Sequence, residues 1–188
     1  MAKPKTSAWP LALSYTVLIL YASLYPFSDW RDQGMVPWFY LTAPLPKYWT
    51  WFDVVTNVLG YAPLGFLYAL SAMRSGGAWR SAHAVLLASV AAGLLSMTME
   101  GLQSYLPVRV PSNVDLTMNF LGAWLGAVTA YSLEKLGAID HWSRIRARWF
   151  VRDARGALVL LALWPVALLF PTPVPFGLGQ VMERLEAA

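Results

Sequence analysis

Eight polar side chains recur in an ordered series through an otherwise apolar chain: Asp53, Asn57, Glu100, Gln103, Arg109, Ser112, Asp115 and Asn119. Glu100 and Asp115 could act as general acid and base if a substrate lay between them. With the amides and the guanidinium, the same carboxylates could instead hold the polar head of a ligand. Residues at i, i+4 and i+7 share a helical face, so Asp53, Asn57 and Gly60 line up, as do Asp115, Asn119, Gly122 and Gly126. Small residues allow helices to approach closely. The helices opening at Asp53 and Asp115 are therefore predicted to pack together through Gly60, Gly65, Gly122 and Gly126.

Simpler roles compete with chemistry. Asp53 and Asp115 each open a helix and could serve only as caps, and Ser112 with Asp115 has the spacing of a capping box. The two asparagines could do no more than hold helices together. Glu100 is harder to assign to structure alone, because an ionised carboxylate inside an apolar helix costs about 2.5–3.5 kcal/mol on insertion scales. Arg109, at the end of the same hairpin, is its nearest expected partner.

The elements that must position these groups read as membrane helices. Of 188 residues, 57% are apolar and only 13% are charged, against about 25% charge in soluble domains. Ten Trp and nine Tyr suit the aromatic belts of membrane–water interfaces. There is no Cys, which excludes disulfides, thiolate metal sites and thiol nucleophiles. His83 and His141 stand alone, so no metal site and no cofactor is expected. Apolar runs cover 9–25, 54–73, 82–105 and 114–133, each near the ~20 residues that cross a bilayer. A fifth run, 157–170, is shorter and contains Pro165, so it either borrows flanking residues or is re-entrant. The fold class is all-α, a polytopic bundle of about four to five transmembrane helices. Between the first two runs lies a loop rich in Trp and Tyr, broken by Pro37, Pro44 and Pro46, expected at headgroup level.

Three segments follow. Residues 1–134 form a four-helix membrane domain, 135–155 a basic amphipathic segment, and 156–188 a fifth hydrophobic helix with a Pro-rich tail. The chain stops at Ala188 inside what reads as a new helix, so a longer natural protein is expected. In the basic segment Ile139, Trp142, Ile145 and Trp149 follow one face, while Arg144, Arg148, Arg152 and Arg155 follow another. That pattern fits a helix lying on lipid headgroups, with a solvated basic loop as the alternative. It argues against nucleic acid as a partner. With the N-terminus in the cytoplasm, Lys3, Lys5, Arg74, Arg80, Lys135, Arg144, Arg146, Arg148, Arg152 and Arg155 fall inside, and Arg31, Lys47, Arg109 and Arg184 outside. This ten-to-four division favours that orientation.

The second and fourth runs begin alike, Asp53-Val-Val-Thr-Asn57-Val-Leu-Gly60 and Asp115-Leu-Thr-Met-Asn119-Phe-Leu-Gly122. Both leave from the same side, as in a parallel repeat of two hairpins. Asp53, Asn57, Tyr61-Ala62-Pro63-Leu64-Gly65, Glu100-Gly101-Leu102-Gln103, Arg109, Ser112, Asp115, Asn119 and Gly122, in this order and spacing, resemble the VanZ family of small bacterial membrane proteins. The likeness covers roughly 53–131. It implies an integral protein of the bacterial envelope, in the inner membrane. The family's name comes from a member associated with resistance to teicoplanin, a lipid-tailed glycopeptide acting outside the membrane, so teicoplanin-type resistance is one role the resemblance implies. Some relatives carry Lys and His where this chain has Val54 and Asn57, which removes a titratable group and argues against a proton shuttle.

Three functions fit the residues. The first is non-enzymatic binding of an amphiphile, a lipid-linked wall precursor or a glycopeptide or lipopeptide, at an outward-facing polar pocket. The second is an intramembrane enzyme working on a lipid-linked group through Glu100 and Asp115. The third is a lipid transporter, suggested by the repeat and by Pro63 within a helix. Membrane lipids are expected partners in each, and the oligomeric state is left open.

Overall fold

The computed structural model describes residues 7–46, 48–74, 81–149, 156–157, 160–161 and 163–164. Among them are five α-helices and no strand: α1 Ala8–Leu24, α2 Trp51–Arg74, α3 Ser81–Gln103, α4 Asn113–Lys135 and α5 Ala138–Trp149. A single 3-10 turn, Phe39–Leu41, interrupts the loop between α1 and α2. The first four helices match the predicted apolar runs to within a few residues at each end. The chain divides after residue 151 into two compact units, and the described residues of the second are helical. Arg152, Arg155 and most of the 157–170 run lie outside the described residues, as do Lys3, Lys5, Lys47, Arg80 and the Pro-rich tail.

Local chemistry sets the helix ends. Thr50 Oγ1 accepts the Asp53 N–H at 3.1 Å, and Asp53 Oδ2 accepts the Thr50 N–H at 2.9 Å and its hydroxyl at 2.7 Å. That reciprocal capping box starts α2. Ser112 Oγ accepts the N–H groups of Val114 and Asp115 at the start of α4. Gly137, at φ +71°, ends α4, a left-handed conformation that a Cβ would disfavour.

α2 and α4 lie parallel and very close. Asn57 meets Asp115 near their starts, and Arg74 meets Glu134 near their ends. Between those points the backbones touch: a Cβ on Gly126 would stand 1.8 Å from the Ala62 carbonyl oxygen, one on Gly65 1.9 Å from that of Ala123, and one on Gly122 2.3 Å from that of Val58. Only glycine fits at these three positions. Gly60 departs from the expected packing set, since a Cβ there would meet nothing within 4 Å. Its place is taken by a hydrogen bond from the Tyr15 hydroxyl of α1 to the Gly60 carbonyl, 2.9 Å. One turn of sequence register therefore faces α1 rather than α4. α3 closes the other flank of α4, with the Phe120 ring over Gly93.

The end of the bundle where α2 and α4 finish carries a cluster that the sequence pattern did not suggest. Arg74 donates through Nε to Glu134 at 3.0 Å and also pairs with Asp140 at 2.7 Å. Its side chain is 2% exposed. The sequence places Arg74 at the start of a short inner loop; it instead closes α2 and is neutralised by two carboxylates, from α4 and α5. The carboxylate of Asp140 sits in the first turn of α5 and ties that helix to the bundle. Ile139 packs on the core formed by Ala69, Leu70, Ala127 and Ala130, while Arg144, Arg148 and Trp142 remain exposed.

Candidate functional site

Three helices each bring two polar side chains, four residues apart, to the opposite end of the bundle: Asn57 and Tyr61 on α2, Ser96 and Glu100 on α3, Asp115 and Asn119 on α4. The i, i+4 spacing stacks each pair on one helical face. In one layer, Asn57 Nδ2 donates to Asp115 Oδ1 at 2.8 Å, and Glu100 Oε2 accepts the backbone N–H of Ser112 at 2.8 Å. Glu100 lies close enough to Asp115 to feel its charge. In the next layer, Asn119 Nδ2 donates to Ser96 Oγ at 2.9 Å, and the same hydroxyl lies beside the Tyr61 phenol. Glu100 is 4% exposed and Asn119 5%, whereas Asn57 and Asp115 are half-buried. The polar cluster is thus deep at Glu100, Ser96 and Asn119 and opens at Asn57 and Asp115.

Five of the eight predicted residues belong to this cluster: Asn57, Glu100, Ser112, Asp115 and Asn119. Asp53 is exposed and engaged in its capping box, although its charge reaches Asp115. Gln103 and Arg109 do something different. Gln103 Nε2 donates to the Ser23 carbonyl at 3.0 Å, and Arg109 Nη2 donates to the carbonyls of Ala22 and Tyr25 at 3.1 and 3.2 Å. These are carbonyls at the end of α1, which a helix leaves without intrahelical donors; a cation there also suits the negative end of the helix dipole. The expected Glu100–Arg109 ion pair does not form. Ser112 N–H reaches Glu100 first because the turn through Pro107 and Pro111 carries the start of α4 back over α3.

The aromatic loop between α1 and α2 covers this end of α3. Arg31 N–H donates to the Tyr105 carbonyl at 3.0 Å, Gln33 to that of Ser104 at 2.8 Å, and Asn113 of α4 to that of Ala43 at 2.8 Å. The Trp38 indole packs on Gly101, where a Cβ would stand 3.0 Å from the ring. Tyr40 is fully buried and donates to the Met97 carbonyl at 3.0 Å. Burial, and then the Glu100 carboxylate, push its phenol up to about 12. Its pairing with a helix carbonyl explains why a buried tyrosine hydroxyl is tolerated here.

Sequence reasoning missed Ser96 and Tyr40, and quoted Tyr61 only within the family resemblance. Ser96 had a usable signal, since it lies one turn from Glu100 on the same face. Tyr40 had none, because loop contacts of 57 residues' separation leave no local periodicity. Among the described residues no group of three His, Cys, Asp or Glu side chains could hold a metal ion.

The ordered polar positions on α2, α3 and α4, with α1 leading into them, lie within the stretch that the VanZ/LLP1 family model matches, residues 7–134. The chain belongs to the VanZ/LLP1 family. No curated protein matches it, and no solved structure does. Within the VanZ-like region, α2 and residues Ala82–Gln103 of α3 are long and apolar enough to cross a membrane, and α1 is a shorter apolar helix. Membership of the VanZ/LLP1 family and these helices together support a membrane protein.

Proposed function

We propose that this VanZ-like protein is a polytopic protein of the bacterial inner membrane that binds the polar head of an amphiphile at the outer leaflet. The observation that carries the reading is the convergence of three stacked polar pairs on one end of an apolar bundle. Buried polar groups at bilayer depth are costly and generally face a bundle interior or a wet cavity. In this reading α1 to α4 cross the membrane as a parallel two-hairpin repeat, with the N-terminus cytoplasmic. α5 lies on the inner surface with Arg144 and Arg148 toward lipid headgroups, as its exposed Trp142 and basic face suit an interfacial helix. Lipid-linked wall precursors, glycopeptides and lipopeptides all have the required polar head and apolar tail, and teicoplanin-type resistance would be one consequence of binding the last two.

Photocrosslinking in native membranes tests the site. A lipopeptide and a phospholipid, each bearing a diazirine in the tail, are expected to label peptides spanning 97–119, with labelling reduced in Glu100→Gln and Asp115→Asn. Even labelling of every helix, unchanged in both variants, would overturn it. Topology is tested separately and conveniently, because the chain has no Cys. Ser28→Cys should react with an impermeant maleimide from outside, and Ser132→Cys only after permeabilisation; the reverse pattern would sink the orientation.

A further inference from the structure

We infer that the head group taken at this site is cationic, a primary ammonium rather than a phosphate or pyrophosphate; the inference rests on the binding reading above and narrows it. Charge is the first reason. The Asp115 charge reaches Glu100 and the Asp53 charge reaches Asp115, linking α2, α3 and α4, and Arg109 is the cation that reaches Glu100. Arg109 directs Nη2 at the carbonyls of α1 instead of at a carboxylate. An anionic head would therefore enter a region already rich in negative charge, and like charges brought together in a poorly hydrated site repel strongly.

Unfilled acceptors are the second, independent reason. The Asn119 side chain is 95% buried by its 5% exposure. Its Nδ2 is bound to Ser96, but its Oδ1 is buried with no hydrogen-bond partner. A buried acceptor without a donor costs about 1–3 kcal/mol and so marks a place for one. Glu100 commits Oε2 to Ser112 and Asp115 commits Oδ1 to Asn57; the other oxygen of each carboxylate has no donor among the described residues. Asp115 and Asn119 are one turn apart on α4, and Asn119 is bonded to Ser96, one turn from Glu100 on α3. An ammonium offers three donors and one positive charge, which answers both the charge and the vacancies. A metal ion would answer the charge, but the described residues include no group of three anionic or imidazole ligands to hold one.

The test uses the full chain in dodecyl maltoside micelles, titrated with dodecylammonium and with dodecyl phosphate, which share one tail and differ in head charge. Binding is read by calorimetry, and circular dichroism checks that each variant is folded. Dodecylammonium should saturate and bind at least about tenfold more tightly than dodecyl phosphate, a difference readily resolved in affinity. Glu100→Gln and Asp115→Asn should each weaken it about tenfold. Both variants keep an oxygen for Ser112 N–H and for Asn57, so the local hydrogen bonds survive. Equal or tighter binding of dodecyl phosphate, still dependent on Glu100 and Asp115, overturns the cationic head and leaves the binding site standing. Binding of neither probe, or binding indifferent to both substitutions, overturns the binding site itself. Nanodiscs of phosphatidylethanolamine and of phosphatidylglycerol then separate two sources of the ammonium. Competition confined to the ethanolamine discs identifies a membrane aminolipid, and equal binding in both identifies a free amphiphilic amine.

Discussion

The starts of α2 and α4 share one motif and use it differently. At Thr50–Asp53 the box closes on itself: the aspartate accepts the Thr50 N–H and hydroxyl, and its charge stays at the surface. At Ser112–Asp115 the serine still caps the helix, but the backbone N–H that the aspartate would take is held by Glu100 of α3. Asp115 is thereby released to accept Asn57 across the bundle. The carboxylate from a third helix turns a local capping residue into a tertiary one. The asparagines diverge in step, Asn57 reaching the other repeat and Asn119 reaching Ser96 on α3. Similar segments need not do similar work; the neighbour decides.

The paired glycines give the largest effect by which that asymmetry can be broken. Gly126→Val is expected to yield no stable folded protein, because even the first added carbon would lie 1.8 Å from a main-chain oxygen. Gly122→Ala should be clearly destabilising, by about 1–3 kcal/mol or more as for other overpacked sites. Its repeat counterpart Gly60→Ala should be neutral or stabilising by up to about 1 kcal/mol, since alanine is the better helix former. Unfolding in a mixed-micelle titration measures all three, and equal losses at 60 and 122 would remove the asymmetry.

At the far end of the same two helices, Arg74→Gln leaves Glu134 buried beside an uncharged side chain. Removing one partner of a buried pair costs about 3–5 kcal/mol, so this variant should rank directly below Gly126→Val, and α5 should become sensitive to protease. Unchanged cleavage near residues 138–149 would show that the cluster does not hold α5.

Glu100→Leu should cost about 1–3 kcal/mol by leaving Ser112 N–H without an acceptor, while Glu100→Gln retains most of that stability. The difference in midpoint between the two variants measures the hydrogen bond separately from the charge. Asn57→Leu should lose less, about 0.6 kcal/mol and at most about 1.7, the range found for polar contacts between membrane helices. Asp53→Ala should give the smallest loss of the series, because its exposed carboxylate serves a local cap at Thr50. If Asp53→Ala proved costlier than Glu100→Leu, the contrast between the two boxes would be wrong.

Much of the fold was readable from the residues in order. The apolar runs located α1 to α4 because a helix that crosses or fills an apolar interior must be apolar along its length. The Ser112–x–x–Asp115 spacing marked the start of α4, because a cap acts within one turn. The closeness of α2 and α4 followed from glycine spacing, and the basic period after Lys135 foretold the amphipathic α5. The candidate site was legible in part: Asn57, Glu100, Asp115 and Asn119 stood out because polar groups are expensive in such surroundings.

Pairing was decided by the tertiary structure. Sequence spacing says which side chains share a face of one helix, but not which face of another helix lies opposite. Thus Arg109 and Gln103 went to the end of α1 instead of to Glu100, Gly60 turned to Tyr15, and Arg74 found Glu134 and Asp140. The sequence by itself determined the helices and the costly polar residues they carry, because both depend on local composition. Which of those residues satisfy one another, and which acceptors are left without a donor, depends on rotation and register between helices, and only packing sets those.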